Sequence, residues 1–473
     1  MEKSIHSSLK HLYLRAGFGL SPWDFEVREN SIPKAVENLF SESKNVTELQ
    51  LDRELHSPKY YAGGMMMGKM SQEQKKELTK QSIADEKEMN LKWIEKMAME
   101  NGSLREKMTL FWHGHFACTE PISLYALMLN NTIRRNALGN FGDLLLAVAK
   151  EPAMLRFLNN QQNKKQSPNE NFAREVMELF TIGRGKYTED DIKNAARAFT
   201  GWTTDGDGNF IKRPFQHDDG VKTFMGHTGN FDGEDIMKII LSRKETADFI
   251  AAKAYKYFVN QENPDQDIIA QLGQKFYDAD YEIGVLMHEI FISDWFYDPK
   301  NMGNRIKSPI ELIIGLKRDF KIEFDNPEVE LGLQRILGQI LFHPPNVSGW
   351  AGGRNWIDSS SLLYRMRIPE SIFYTSEMDI TVKGDAADSA MMSEVNKKIL
   401  KVMKNTTDLG YYDGKYKDKT AEEMVDELSV SLLAPGAQNI DKPLMVDFVK
   451  SNSSDMVRSA IMLITSLPEY QLS

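Results

Sequence analysis

One cysteine, Cys118, stands in a chain of 473 residues, which rules out an internal disulfide and any multi-thiolate zinc site. Long apolar runs are missing too, since no stretch approaches the roughly 18 residues that read as a membrane span. The opening MEKSIHSSLKHLYLRAGFG carries basic residues and serines but not the apolar stretch and small-residue cleavage site of a secretory signal. The chain therefore reads as soluble, cytoplasmic as it stands and exported if a signal has been removed. An excess of positive charge is also absent. Against 68 Asp and Glu there are 58 Lys and Arg, a formal charge of -10, whereas binding along a nucleic-acid backbone needs clustered cations that displace counterions. Nucleic acid is not an expected partner.

What is present is length and helical periodicity. At about 100–200 residues per domain the chain allows two to four domains or one large one, with enough apolar surface for a core that needs no crosslinks. Ser167-Pro168-Asn169-Glu170 has capping-box spacing with proline at the first helical position, and Gly183 supplies a stop, so the pattern predicts a helix over 168–182. Thr188 caps the next helix, whose Ile192, Ala195, Ala196 and Phe199 form a core-facing stripe ended by Gly201. Further helices are expected at 8–17, 32–41, 70–100, 103–116, 121–136, 140–148, 233–241, 244–259, 265–276, 282–291, 308–319 and 329–342. Between 201 and 231 the pattern breaks into glycines, aspartates and short aromatic runs. There Asp207-Gly208-Asn209 reads as the turn of a β-hairpin between Trp202 and a strand at Phe210–Phe215. The expected fold is mainly α, a multi-helix body over 1–375 with one small β-hairpin insertion at about 201–225. A C-terminal helical region, 376–473, is expected to pack on it, with helices near 389–404, 419–433 and 453–467.

Four clusters carry residue types suited to chemistry. The first is Phe111-Trp112-His113-Gly114-His115-Phe116. Two histidines two apart project about 200° apart on a helix and share a metal only if the helix breaks at Gly114. Each is otherwise a core histidine bonded to a carbonyl or a partner for residues from elsewhere. The second lies on the 168–182 helix, where Asn171, Arg174, Glu175 and Glu178 fall within about a 100° arc opposite Phe172, Val176 and Phe180. Such a face is either solvated, with i,i+3 and i,i+4 pairs, or lines a cleft where two carboxylates bind a metal or act as acid and base. The third is His217, Asp218 and Lys222 on a glycine-bounded loop, a placement common to functional groups. Nearby Asp205, Asp207 and Asn209 have calcium-loop spacing, but Phe210 and Gln216 stand where an EF-hand needs Gly and Glu, so they read as a turn. The fourth, His343-Pro344-Pro345-Asn346-Val347-Ser348-Gly349-Trp350 with Trp356, is a rigid aromatic loop that is either a binding platform or a plug between helices.

These clusters, in this order, resemble the bacterial domain of unknown function family 1800. Also matching are His11-Leu12-Tyr13-Leu14-Arg15-Ala16-Gly17-Phe18-Gly19, Tyr187 to Asp191, Thr200-Gly201-Trp202, and the ending Ser466-Leu467-Pro468-Glu469-Tyr470-Gln471. The resemblance covers nearly the whole chain and implies one family-sized unit, without an assigned activity. It also implies frequent export and co-encoding with a second protein resembling the sulfatase and alkaline-phosphatase group, a possible partner. On this reading Glu175, Glu178, His217 and Asp218 are the expected catalytic groups. Asn171, Arg174, Lys222, Trp202 and Trp350 are expected to hold substrate, Arg174 and Lys222 as anion clamps. His113 and His115 join carboxylates around an expected divalent metal. The expected function is hydrolysis or group transfer on an anionic or envelope-derived substrate, a small molecule or glycan. The alternative is a non-catalytic helical scaffold that binds a protein or glycan through the tryptophan loop and the Met65–Met67 run.

Overall fold

The computed structural model describes residues 2–21, 31–55, 70–99, 103–378, 401–437 and 439–473. Among them are twenty α-helices and three two-stranded antiparallel sheets, so the protein is mainly α. The Met65–Met67 run and the start of the 389–404 helix lie outside the described residues.

Local sequence signals place many elements where they were expected. Helix Gly233–Leu241 starts at Asp232, whose carboxylate accepts from Glu234 N (2.9 Å) and Asp235 N (3.4 Å). Helix Glu189–Ala198 starts at Thr188, whose hydroxyl accepts from Asp191 N (3.1 Å) while Asp191 accepts from Thr188 N (2.9 Å). Its Ile192, Ala195, Ala196 and Phe199 are all buried. Thr188→Ala is expected to cost about 1 kcal/mol through the lost cap, read as a lower urea midpoint at unchanged slope.

The expected hairpin is present, Trp202–Thr204 paired with Phe210–Lys212, shorter than the sequence pattern implied because Pro214 opens a 3-10 turn. A second hairpin, Lys222–Phe224 with His227–Gly229, was not anticipated, and Glu323–Phe324 pairs with Asn405–Thr406. Helix Glu328–Leu337 stops before the expected 342 because Gly338 takes φ 88. Helix Ser359–Tyr374 was missed because Pro369 lies inside it and reads as a breaker.

The apolar core is divided near residue 300. The larger cluster runs from Leu9 to Phe296, and a second from Leu312 to Tyr470. Tyr364, Ile368 and Phe373 share the second core with Val425, Leu428 and Ile461, so the change of composition at 376 does not coincide with a break in packing. A smaller group including Phe18, Trp93, Leu110, Ile310 and Leu341 bridges the two.

Candidate functional site

The expected 168–182 helix differs from an ordinary α-helix at both ends. Its start is Asn171, because Asn163 Oδ1 accepts from Asn169 N (2.9 Å), Asn169 Oδ1 accepts from Asn171 N (3.0 Å), and Ser167 N turns back to Lys164 O (2.8 Å). After one α-helical turn, Asn171–Glu175, residues Val176–Thr181 form a π-helix. Thr181 Oγ1 donates to Val176 O (2.6 Å), and Ile182 N and Gly183 N both donate to Met177 O (3.0 Å). Single π-turns of this kind recur at functional sites.

On its outer side the turn carries the two carboxylates. Glu178 accepts from Arg184 Nε and from the Tyr187 hydroxyl (2.9 Å), and its side chain is 15% exposed. Glu175 is half-buried and receives no side-chain hydrogen bond among the described residues. Burial first, and the Glu178 charge second, raise its carboxyl above the usual range. Burial and the bond to Glu178 push the Tyr187 phenol up to about 12. Arg174 pairs with Glu170 (3.2 Å) and Glu189 (2.9 Å), and Asn171 Nδ2 donates to Leu158 O (3.1 Å).

The inner side meets a different pair. His115 Nε2 bonds Phe180 O (3.1 Å), which places the proton on Nε2 and leaves Nδ1 to accept from Lys253 Nζ (3.0 Å). Lys253 also donates to Leu179 O (3.0 Å), and its ammonium stands 4.9 Å from the Phe249 ring centroid. Burial and Lys256 pull Lys253 down to about 8, while burial and Lys253 hold His115 well below the usual imidazole range. Lys253 escaped the sequence reading. The one available signal was a lysine in the alanine-rich helix Lys244–Phe258, whose Ala247, Ile250, Ala251 and Ala254 are buried.

His113 points elsewhere. Its Nε2 accepts from Phe342 N (3.1 Å), and its ring lies 5.1 Å from Trp93 and 5.8 Å from Trp350. Burial first, then His343 and Arg134, depress it to about 3. The 111–116 and 342–350 segments do meet: a Cβ at Gly349 would lie 2.3 Å from Gly114 O, and Gly349 has φ +73, so only glycine fits. Trp356 is buried and Trp350 half-buried, which leaves little of this loop as an open aromatic platform. Glu86 also went unremarked in the sequence. Burial and Asp85 raise its carboxyl to about 7, and it lies 3.9 Å from His343.

The 217–222 loop is held apart from the π-turn. Arg197 grips Asp218 (2.7 Å), and Arg174 reaches Glu189 at the other end of the same helix. Eight residues of helix separate Glu189 from Arg197, about 12 Å. His217 is buried with Nδ1 at 2.9 Å from Thr200 O, and buried Lys222 donates to Gly220 O (3.0 Å) and Asn230 Oδ1 (3.4 Å). Hydrogen bonding to Arg197 holds Asp218 below the usual carboxylate range, and burial lowers Lys222. Trp202 is 1% exposed and packs edge-on against Phe199 (5.2 Å) and Phe210 (5.1 Å). It is an interior side chain rather than a surface for substrate.

The expected metal finds no ligand set: among the described residues no three His, Cys, Asp or Glu side chains converge. His113 and His115 face different neighbours, and both nitrogens of His115 are engaged. Asp205 accepts from Asp207 N (2.8 Å) and Asn209 N (2.9 Å), as a turn residue does. No described helix is long and apolar enough to cross a membrane.

By fold the protein is of the mainly α class. The chain belongs to the DUF1800 family, described as proteins of unknown function, whose model matches residues 11–472. Comparison with curated proteins and with solved structures gives no match.

Proposed function

We propose that the outer face of the π-turn is a general acid–base site for hydrolysis or group transfer on an anionic or envelope-derived substrate, a small molecule or glycan. The observation that carries this reading is the unequal treatment of two neighbouring carboxylates. Glu178 is bound by Arg184 and Tyr187 and serves as the base. Among the described residues Glu175 has no donor of its own, and its carboxyl is raised, so it serves as the proton donor to a leaving oxygen. Neighbouring carboxylates in unlike surroundings commonly divide acid and base roles. Arg174 and Arg184 supply positive charge beside them, suited to an anionic group. His217, Asp218, Lys222 and Trp202 are engaged within and beside the two hairpins, which leaves them outside this reading.

The test is turnover of chromogenic phosphate, sulfate and glycosyl esters, and of envelope extracts, by wild type and by Glu175→Gln and Glu178→Gln. General acid–base groups contribute about 10²–10⁴-fold, so each variant is expected to lose at least 100-fold while melting as the wild type does. A donor must be protonated, so wild-type activity should fall as pH rises through the raised Glu175 value, and that limb should vanish in Glu175→Gln. Activity that survives both substitutions sinks the assignment.

A further inference from the structure

Where the two cores meet, cations outnumber carboxylates. Arg15, Lys107, Arg305, Lys307 and Arg365 are buried there, and Glu311 and Asp319 are the acidic groups acting on them. Glu311 is consumed by Arg305 (2.7 Å), Lys107 and the Ser308 amide (2.7 Å). Arg15 disperses its charge over Val259 O (3.2 Å), Asn301 O (3.0 Å) and Asn304 Oδ1 (2.6 Å). Arg365 is served far worse. It is 0% exposed, and among the described residues only Nη1 has partners, Lys307 O (3.0 Å) and Gln471 Oε1 (3.4 Å).

Among the described residues its Nε and Nη2 have no acceptor, and neither does the adjacent Gln471 Nε2. Buried Arg15 leaves its Nε alone without an acceptor, but among the described residues Arg365 is the one arginine that also leaves a terminal nitrogen so. An arginine does not shed its proton in a protein, so neutralisation is not open to it. A buried unpaired donor is costly, more so when charged, and an ion or water is one of the partners that such groups in native proteins call for. The Lys307 ammonium, 3.9 Å from the Tyr470 ring centroid, adds a second cation beside the first. Residues 471 and 472 close this corner, with Lys307 N donating to Gln471 O (2.8 Å) and Ile306 bridging Leu472.

We propose that Arg365, Lys307 and Gln471 form a buried oxyanion site at the junction of the two cores, which takes a phosphate or sulfate group, free or as an ester. The Arg365 fork matches two oxygens of such a group, the Gln471 amide a third, and the Lys307 ammonium balances its charge. The site is separate from the π-turn and does not depend on the acid–base reading.

The experiment uses the full chain. Purified protein is denatured and the released anions identified by ion chromatography and mass spectrometry. A second sample, dialysed exhaustively into chloride, is melted with inorganic phosphate or sulfate added at matched ionic strength. Either about one equivalent of oxyanion is released, or the dialysed protein gains roughly 3–5 °C of Tm at saturating oxyanion. An inorganic ion in the release identifies the free form, and an organic mass identifies an ester. Arg365→Gln should abolish both signals. Gln471→Glu keeps the arginine and supplies an oxygen acceptor from the chain, so it should melt higher than wild type in chloride and lose the response to oxyanion. That variant carries the test if Arg365→Gln fails to fold. No release together with no gain over chloride overturns the proposal, as does a response that persists in the variants that fold.

Discussion

Glu311→Gln is expected to remove about 3–5 kcal/mol of stability, the usual loss when one member of a buried ion pair is taken away. Glu311 is 5% exposed and anchors Lys107 and Arg305 while its other oxygen caps helix Pro309–Phe320. Without it Arg305 keeps an uncompensated charge. Lys107, already lowered to about 8 by burial against the pull of Glu311, can release its proton, so the loss should sit within this range rather than above it. Burial alone would raise the Glu311 carboxyl, yet Arg305 and Lys107 hold it well below the carboxylate range. The sign follows: its contribution is complete above the unfolded value of about 4.3 and disappears as pH falls toward the lower folded value. Urea midpoints should therefore drop more steeply between about pH 5 and pH 2 in wild type than in Glu311→Gln. Parallel pH profiles would refute the assignment.

Trp202→Ala is expected to cost about 3–5 kcal/mol, as large aromatic truncations in cores do. The indole sits between Phe199 and Phe210, and Gly233 passes so close that a Cβ there would lie 2.5 Å from the ring. The readout is a lower urea midpoint, with turnover per folded molecule retained. A substrate-binding tryptophan would behave in the opposite way, with function lost and stability kept.

The helices were legible wherever a cap and an apolar stripe coincide, as at Thr188 and Asp232, because those signals are local. The first hairpin was legible from its turn residues. The π-turn was not, since it arises from Thr181 and Gly183 turning back on Val176 and Met177 rather than from residue spacing. The acidic face at Glu175 and Glu178 could be read from the sequence. Its neighbours could not: Lys253 meets His115 across 138 residues, and Lys253 in isolation is one more helix lysine. Pro369 hid a helix because tertiary packing against Ile461 and its neighbours outweighs a local breaker.

The division of the core has a consequence for synthesis on the ribosome. Chains emerge N-terminus first at about 5–20 residues per second, and Lys107 and Glu311 are 204 residues apart. The amine is therefore made roughly 10–40 s before its carboxylate. During that interval the first 300 residues can collapse around Phe116 and Phe141, with Lys107 still without its carboxylate. Glu311 then supplies the charge partner that Lys107 lacked until that point, at the junction of the two cores.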